Sequence, residues 1–243
     1  MTEPAPWPDL DGDHHVHSTF SDDAVSAPVD NLAAAVRAGL ATVRMVDHVR
    51  ASTTYVPDFL AVVRGLPRRD GLTVLTGVEA KILDASGAVD APADVLAAVG
   101  GAGVDRVLLA DHQFPGPDGP WSPRVASERI AAGLSVPDAV EILVTATTRA
   151  MRIVGRAQVA HPFSLLPKIG LTEDDVSDEL LDAFAQVAVE TGTLVEVNEK
   201  WRCPGPRARE RWARAGVRLV AASDAHVDTD VGRYPWLATV ARP

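Results

Sequence analysis

The stretch DHHVHSTFSDD at 13–23 places three of the chain's seven histidines within four positions, followed by two acidic residues. His15 and His17 are two positions apart, which puts both rings on one side of a β-strand and lets them bind one ion. Neutral imidazole and carboxylate groups are the usual protein ligands of divalent metal ions. The stretch therefore predicts half of a metal site. His14 is predicted to point to the opposite side of the strand, as a structural residue or a support for the ligands.

The other ligand-type side chains follow later apolar runs, each where a predicted strand ends. Alternating apolar runs and helical patterns predict strands near 12–17, 42–47, 73–79, 104–110, 156–160, 193–198 and 217–223, and helices over 28–38, 57–66, 91–100, 136–152, 173–191 and 205–215. The carboxyl ends of parallel strands in a barrel lie on one face. The side chains expected to converge there are His15, His17, His48, Glu79, His112, His161, Asp224 and His226. A single histidine at a strand end is usually structural, but six at matching positions indicate a metal centre.

Seven strands that alternate with helices predict an α/β fold, a distorted (β/α)7 TIM-like barrel. One domain over 1–243 is expected, with a flexible N-terminal segment at 1–11. Thr172, followed by three acidic residues, predicts the start of the helix over 173–191, and Gly192 predicts its end. The stretch 113–127 is rich in Pro and Gly and predicts a long surface loop.

The composition limits the environment and the partners of the protein. A formal net charge of −10 argues against binding to a nucleic-acid polymer, which requires a basic face. The sequence has neither an apolar run long enough for a membrane span nor the pattern of a signal peptide, so no membrane association is expected. Cys203 is the only cysteine, which excludes an intrachain disulfide and predicts a cytoplasmic location.

The candidate ligands lie in seven short motifs: DHHVHSTFSDDA, VDH at 46–48, GVE at 77–79, ADH at 110–112, AHP at 160–162, VEVN at 195–198 and SDAH at 223–226. In this order, and over nearly the whole chain, they resemble the PHP (polymerase and histidinol phosphatase) superfamily of metal-dependent phosphoesterases. The resemblance implies a distorted (β/α)7 barrel with two or three divalent ions, either zinc, manganese or iron. The ligands it implies are His15, His17, Asp22 or Asp23, His48, Glu79, His112, His161, Asp224 and His226.

The motifs also bear on the acidic ligand, on His14 and on Asn198. Family members place the acidic ligand one or two residues after the serine of the first motif, and the spacing from Ser21 to His48 favours Asp23 over Asp22. His14 departs from the family, which usually has an aliphatic residue at that position. By the resemblance, Asn198 supports a ligand or contacts the substrate.

The predicted activity is hydrolysis of a small phosphorylated metabolite, of the histidinol-phosphatase kind, by a metal-bound hydroxide. Paired divalent ions lower the pKa of bound water to about 7 and stabilise the attacking and leaving oxygens. Glu79 is the best candidate to bridge two ions, because a carboxylate has two oxygens. Asp224 and His226 complete the predicted catalytic group, and Asp47 is expected to orient a ligand.

Basic side chains that follow the predicted strands are candidates to hold the substrate. These are Lys168, Lys200, Arg202 and Arg233, although ordinary surface charge explains each of them about as well. Lys168 and Arg233 lead, since each follows a ligand motif closely enough to fold back over the pocket.

The spacing of Cys203 and Arg209 fits the C-x5-R pattern of cysteine phosphatases. That chemistry needs a loop of backbone N–H groups around the phosphate. Pro204 and Pro206 have no N–H group, so this interpretation is rejected.

Two other functions are compatible with the same ligands. The metal centre could hydrolyse a phosphodiester or a non-phosphate ester, or the domain could be a metal-binding module without catalysis. The complete ligand set favours an enzyme, a metal-dependent hydrolase.

Overall fold

The computed structural model describes residues 7–240. Its strands are β1 (Gly12–Val16), β2 (Thr42–His48), β3 (Thr73–Lys81), β4 (Arg106–Ala110), β5 (Phe114–Gly116), β6 (Gly119–Trp121), β7 (Ala157–Val159), β8 (Leu194–Asn198) and β9 (Arg218–Ala222). Its helices are α1 (Pro28–Arg37), α2 (Val56–Arg64), α3 (Ala93–Ala98), α4 (Pro123–Ala131), α5 (Val136–Val154), α6 (Asp178–Thr191), α7 (Pro206–Arg214) and α8 (Leu237–Val240). Short 3₁₀ turns cover Leu166–Ile169, Glu173–Asp175 and Asp228–Asp230.

Seven of the strands form one parallel sheet in the order β1-β2-β3-β4-β7-β8-β9. The two edges of this sheet approach each other, because the backbone N–H of His17 donates to the carbonyl of Ala225 at 2.8 Å. Val16 also forms an isolated parallel bridge with Ala225. The sheet is therefore a nearly closed barrel, and the predicted distorted (β/α)7 architecture is confirmed.

Side chains along the barrel strands alternate between the barrel interior and the layer beneath the helices. A small apolar cluster fills the interior and consists of Val46, Leu108, Ala110 and Ala160. Their neighbours on the same strands, such as Met45 and Leu109, belong to the large core shared with the helices. Val78 and Ala80 also belong to that large core, so the alternation directs Glu79 into the barrel.

Helix α6 begins later than the sequence predicts. Thr172 and Asp175 cap only a 3₁₀ turn, and the hydroxyl of Ser177 accepts the N–H of Leu180 at the start of the helix. The helix ends at Gly192 as predicted, in the left-handed conformation with φ 63°. The cause of the error is that both Thr172 and Ser177 are good N-caps, and the sequence alone does not rank them.

The prediction of a long loop over 113–127 is wrong. Strands β5 and β6 form an antiparallel hairpin in which Phe114 pairs with Trp121 and their rings stack at 5.4 Å. Helix α4 follows at once, with Ser122 as N-cap and Pro123 in its first turn. Proline is tolerated in the first turn of a helix and glycine in a tight turn, so the Pro- and Gly-rich composition misled the sequence analysis.

The N-terminal segment is described only in part. Residues 1–6 of the segment expected to be flexible, and residues 241–243, lie outside the described residues. Pro8 is buried, and the ring of Trp7 lies 5.4 Å from the guanidinium of Arg209. Between residues 7 and 240 there is no helix with the length and hydropathy of a membrane span.

The substitution Leu181→Ala is expected to lower the free energy of unfolding by about 2–5 kcal/mol, because it leaves a cavity in the core. Leu181 is 1% exposed, whereas Val189 on the same helix is 49% exposed. Val189→Ala is therefore the matched control, and it should change the free energy of unfolding by less than about 0.5 kcal/mol. Urea unfolding followed by circular dichroism measures both, and equal losses would contradict the assignment of the buried face of α6.

Candidate metal centre

The carboxylate of Glu79, near the end of β3 and 2% exposed, is the point on which the ligand-type side chains converge. Its Oε2 lies 2.9 Å from Nδ1 of His48 and 3.4 Å from Nε2 of both His15 and His17. The four side chains come from β1, β2 and β3 and the residue after β1. Three strand ends are thus brought together on one oxygen atom.

The second oxygen of Glu79 faces the other half of the barrel. Oε1 lies 3.0 Å from Nε2 of His161 and 3.2 Å from Nε2 of His112. These two rings stack on each other at 5.2 Å and follow β7 and β4. One carboxylate therefore contacts five imidazole rings.

Asp23 and Asp224 extend the cluster around His226. Oδ2 of Asp23 lies 3.3 Å from Nε2 of both His48 and His226. Oδ1 of Asp224 lies 3.4 Å from Nε2 of His17 and 3.5 Å from Nδ1 of His226. The remaining predicted ligands thus adjoin the same cluster.

A cavity of about 270 Å³ opens above these side chains. Asp22 and Asp23 both line it, but it is Asp23 whose carboxylate approaches the imidazole rings. In each of three groups of side chains, the potential ligand atoms lie within 4.8 Å of one another. The groups are His17, His48 and His226; His15, His17 and Asp224; and His48, Glu79 and His112.

The nitrogen and oxygen atoms of this cluster are arranged for binding divalent cations, and not for hydrogen bonding to one another. Oε2 of Glu79 is buried and accepts no hydrogen bond of acceptable geometry, although three ring nitrogens lie within 3.4 Å. Nε2 of His15 and Nε2 of His17 face each other at 2.9 Å. Lone pairs of imidazole nitrogen and carboxylate oxygen that point at a common space are the donor set of a divalent ion such as zinc.

An irregularity in β1 directs two consecutive histidines into the barrel. The register of β1 against β2 shifts between Asp13 and Val16. Val16 belongs to the large core shared with the helices and so points out of the barrel. His15 therefore points inward. His14 does so too, because its Nε2 would lie 3.0 Å from a Cβ on Gly12, which is in register with Thr42 on the inward face of β2. The prediction that His14 points away is wrong, because a bulge turns two successive side chains to the same face.

His161 and Asp224 owe their positions to an unusual backbone. His161 follows inward-facing Ala160, so simple alternation would direct its ring out of the barrel. Its φ is 29°, and that of Asp224 is 55°. Left-handed backbone is unfavourable for residues with a Cβ, and such conformations cluster at functional sites.

Glu196 is a fully buried carboxylate that the sequence analysis did not single out. Its Oε1 lies 2.9 Å from Nδ1 of His15 and accepts the side-chain amide of Gln158. Its Oε2 accepts the backbone N–H of His161 and the side-chain amide of Asn198. Asn198 is itself fully buried, so of its two predicted roles the support of a ligand fits the structure and substrate contact does not. The sequence signal for Glu196 is an acid inside the otherwise apolar strand VEVN.

Asp47 lies beneath the ligands, outside the cavity. It accepts hydrogen bonds from the hydroxyl groups of Ser18 and Ser21, both at 2.6 Å. The hydroxyl of Ser21 also lies 3.3 Å from Nδ1 of His17 and accepts the N–H of His48 at 2.9 Å. Asp47 is therefore linked to the ring of His17 through Ser21, in keeping with the orienting role expected of it.

A similar relay supports His161. Nδ1 of this ring lies 3.0 Å from the hydroxyl of Ser164, which donates to Asp111 at 2.8 Å. Asp111 precedes His112 in the motif ADH, and the sequence analysis gave it no role. Buried acids beneath metal ligands fix the orientation of the rings.

Among the predicted substrate-binding cations, Lys200 lies nearest to the ligands. Its Nζ is 3.2 Å from Nδ1 of His226 and 3.5 Å from Oδ2 of Asp224. Arg50 and Lys81 line the same cavity, and the sequence analysis missed both.

The other three predicted cations line neighbouring cavities. Nζ of Lys168 lies 4.0 Å from the centre of the Trp201 ring, and Lys168 and Arg202 line a cavity of about 530 Å³ beside it. Arg233 lines a third cavity of about 270 Å³, which shares Lys200 with the ligand cavity. The two leading candidates of the sequence analysis, Lys168 and Arg233, are therefore not in the wall of the ligand cavity itself.

The buried imidazoles and carboxylates stabilise one another's charges, and this shifts their pKa values. Burial lowers the pKa of His15, but the carboxylates of Glu196 and Glu79 outweigh burial and hold this pKa well above its usual value. Burial also opposes protonation of His161, yet Asp111 and Glu79 raise its pKa to about 10. Burial raises the pKa of Glu79, but the surrounding imidazoles hold it well below its usual range.

Comparison with known proteins gives relatives over most of the chain. No protein-family model matches the sequence. A probable phosphatase of Caldanaerobacter subterraneus subsp. tengcongensis is 26% identical over 236 residues, which cover 91% of this chain and 78% of that protein. A probable phosphatase of Thermoanaerobacter sp. is 25% identical over 232 residues, with 91% and 81% covered.

Two solved structures share the fold. A candidate histidinol phosphatase from Listeria monocytogenes superposes with a TM-score of 0.71 at 15% identity, covering 94% of this chain and 99% of that one. Histidinol phosphate phosphatase from Lactococcus lactis, solved with zinc, L-histidinol and phosphate, gives a TM-score of 0.57 at 13% identity, with 95% and 90% covered. The chain is thus similar in fold to histidinol phosphatases and in sequence to probable phosphatases, as the motifs indicate.

Metal binding at pH 7 is expected to release about two to three protons per chain, because ligand histidines must be neutral to bind a metal. The raised pKa values of His15 and His161 keep both rings protonated in the metal-free protein at this pH, and the pKa of His17 is raised as well. The release should be full below these pKa values and should fade as the pH rises through about 10, the pKa of His161. Zinc titration by calorimetry in buffers of different ionisation enthalpy measures it. Binding without proton release at pH 7 would contradict this account of the charges.

Glu196→Gln is expected to weaken metal binding roughly 10- to 100-fold, because Nδ1 of His15 loses the carboxylate that orients its ring. Glu173→Gln is the matched control, since this carboxylate accepts the backbone N–H of Gly205, away from the imidazole rings. Competition with a chelator measures the affinity, and circular dichroism checks the fold. An affinity that falls equally in both variants would show that Glu196 acts on the fold alone.

Proposed function

We propose that this chain, a relative of probable phosphatases with the fold of histidinol phosphatases, is a metal-dependent phosphomonoesterase acting on a small phosphorylated metabolite. The observation that carries the proposal is the convergence of imidazole and carboxylate groups on Glu79, beneath a cavity that basic side chains line. The relatives named as phosphatases support the same reaction class.

The residues that would hold the ions are His15, His17, Asp23, His48, Glu79, His112, His161, Asp224 and His226. Nine side chains of this kind exceed the needs of one ion, so we propose two or three, drawn from zinc, manganese and iron. When bound, such ions offset phosphate charge and activate water for attack on phosphorus. Glu79 is proposed to be shared, since its two oxygens face different sets of rings.

The basic side chains hold the substrate's phosphate at the mouth of this site. We propose that Lys200, which contacts His226 and Asp224, binds a phosphate oxygen above them. Arg50 and Lys81 supply further positive charge along the same wall. The indole N–H of Trp201 donates to Oδ2 of Asp224 at 2.8 Å, which leaves Oδ1 directed at the rings of His17 and His226.

The size and charge of the site favour a small substrate. A cavity of about 270 Å³ admits a phosphate group with a compact leaving group. The net charge of −10 repels a long polyanion, whereas a single phosphate is held by local cations. We place the activity in the cytoplasm, in keeping with a single buried thiol, Cys203.

Protein loaded with manganese or zinc is expected to hydrolyse phosphomonoesters in a panel that also contains phosphodiesters and carboxylic esters. Glu79→Ala should abolish the activity, while Cys203→Ser should leave it nearly unchanged, because burial raises the pKa of this thiol and keeps it unreactive. Phosphate release measures turnover. Turnover confined to diesters or carboxylic esters would replace the proposed reaction, and bound metal without any turnover would indicate a non-catalytic module.

Lys200→Ala is expected to lower kcat/KM for phosphomonoesters roughly 10- to 100-fold, the loss of one charge-assisted hydrogen bond. Lys168→Ala is the matched control, because this ammonium group lies over the Trp201 ring and lines the neighbouring cavity. Metal content should stay the same in both variants. If Lys168→Ala costs more than Lys200→Ala, the phosphate is bound on the other side of Trp201.

A further inference from the structure

The amino-terminal mouth of the barrel, opposite the metal centre, gathers four arginines. Arg44 lies near the start of β2, Arg106 and Arg218 are the first residues of β4 and β9, and Arg156 immediately precedes β7. They come from separate strands but from the same end of the barrel. An acidic chain thus concentrates positive charge at one place.

Two of the four arginines enter the barrel interior. Arg44 and Arg106 each precede by two positions a residue of the interior apolar cluster, so alternation directs their side chains inward. Gly77 lies between them, in register with Arg106, and a Cβ added to it would lie 3.3 Å from Cδ of Arg44. Glycine at this position therefore leaves room for the side chains of Leu108 and Arg44.

Within residues 7–240, none of these four guanidinium groups forms an ion pair with a carboxylate. The hydrogen bonds of Arg44 and Arg106 go to backbone carbonyl groups, at 2.9 Å and 2.8 Å respectively. The acidic groups that face them are Asp105 and Glu196. Asp105 is bound to the N–H and the hydroxyl of Thr76, and Glu196 is bound to the metal-centre histidines.

Two buried nitrogen atoms at this mouth, Nε of Arg44 and Nδ1 of His14, also have no hydrogen-bond partner among residues 7–240. Arg44 is 2% exposed, so water does not replace the missing partner freely. Buried polar groups in folded proteins are normally satisfied, and an unsatisfied guanidinium nitrogen calls for an acceptor.

The pKa values agree with uncompensated positive charge. Burial, together with the charge of Arg106, lowers the pKa of Arg44 to about 10. Burial, together with the charges of Arg156 and Arg218, lowers the pKa of Arg106 to about 10. Each guanidinium would be stabilised by an anion between them.

We propose that the arginine mouth, formed by Arg44, Arg106, Arg156 and Arg218, binds a small tetrahedral oxyanion of the phosphate class. The planar guanidinium group donates paired hydrogen bonds to such anions, which makes arginine the preferred residue for them. The half-buried Arg106 and the exposed Arg156 and Arg218 would contact the anion, and the buried Arg44 adds positive charge beneath them. The proposal is independent of catalysis, because the metal centre lies at the other end of the strands.

Calorimetric titration of the metal-loaded protein with inorganic phosphate tests the proposal. Arg218→Gln is expected to weaken one class of phosphate site roughly tenfold or more, by loss of charge-assisted hydrogen bonds. Arg156→Gln tests the same entrance with a second exposed side chain and should give the same loss. Arg124→Gln on α4 is the control of equal charge, since Arg124 pairs with Glu128 on the surface. Phosphate bound at the metal centre should be unchanged in all three variants.

The outcomes separate the two ends of the barrel. If phosphate binds the mouth variants and the control variant with equal affinity and stoichiometry, phosphate occupies the metal centre alone and the proposal is wrong. Titration with methylphosphonate, which carries one substituent as a phosphate ester does, identifies the source of the anion. A loss with both anions supports a phosphate group borne by a metabolite, and a loss with inorganic phosphate alone supports the free anion.

Discussion

A carboxylate buried inside a barrel is unfavourable unless cations or hydrogen-bond donors surround it. Glu79 meets this condition through five imidazole rings, which are themselves buried or half-buried. Imidazole can compensate the charge as a protonated ring or as the ligand of a metal ion, and only the second leaves the cluster free of repulsion between its rings. The geometry around Glu79 therefore links the charge balance of the protein to metal binding.

The backbone departs from regular geometry where this cluster requires it. A register shift in β1 directs His15 inward together with His14, and a positive φ turns His161 towards Glu79. Beneath the rings, Glu196 and Asp47 accept hydrogen bonds that fix the ligand orientations. These irregularities and the buried acids are locally unfavourable. The packing of the surrounding barrel, whose strands are covered on both faces, offsets their free-energy cost.

The sequence predicted the strands and the face on which the ligands meet, because apolar runs and strand-end histidines are local signals. It did not predict that Glu196 orients the ring of His15. An acidic residue in a strand is usually taken to face solvent, and His15 is distant from Glu196 in the chain. The bulge that turns His14 inward also has no local signature. The hairpin and α4 were missed because Pro123 serves equally in a loop and in a first helical turn. The roles of Glu196 and His14 depend on contacts between distant residues, whereas the hairpin and α4 depend on a local ambiguity of proline.

X-ray diffraction at the absorption edge of manganese or zinc, from crystals grown with that metal, tests the central claim that Glu79 is a shared ligand of divalent ions. The account predicts at least two anomalous peaks, with the Glu79 carboxylate and the surrounding ring nitrogens at about 2.0–2.2 Å from them. A Glu79 carboxylate that keeps its direct contacts to the imidazole rings, with no anomalous peak beside it, would contradict the account.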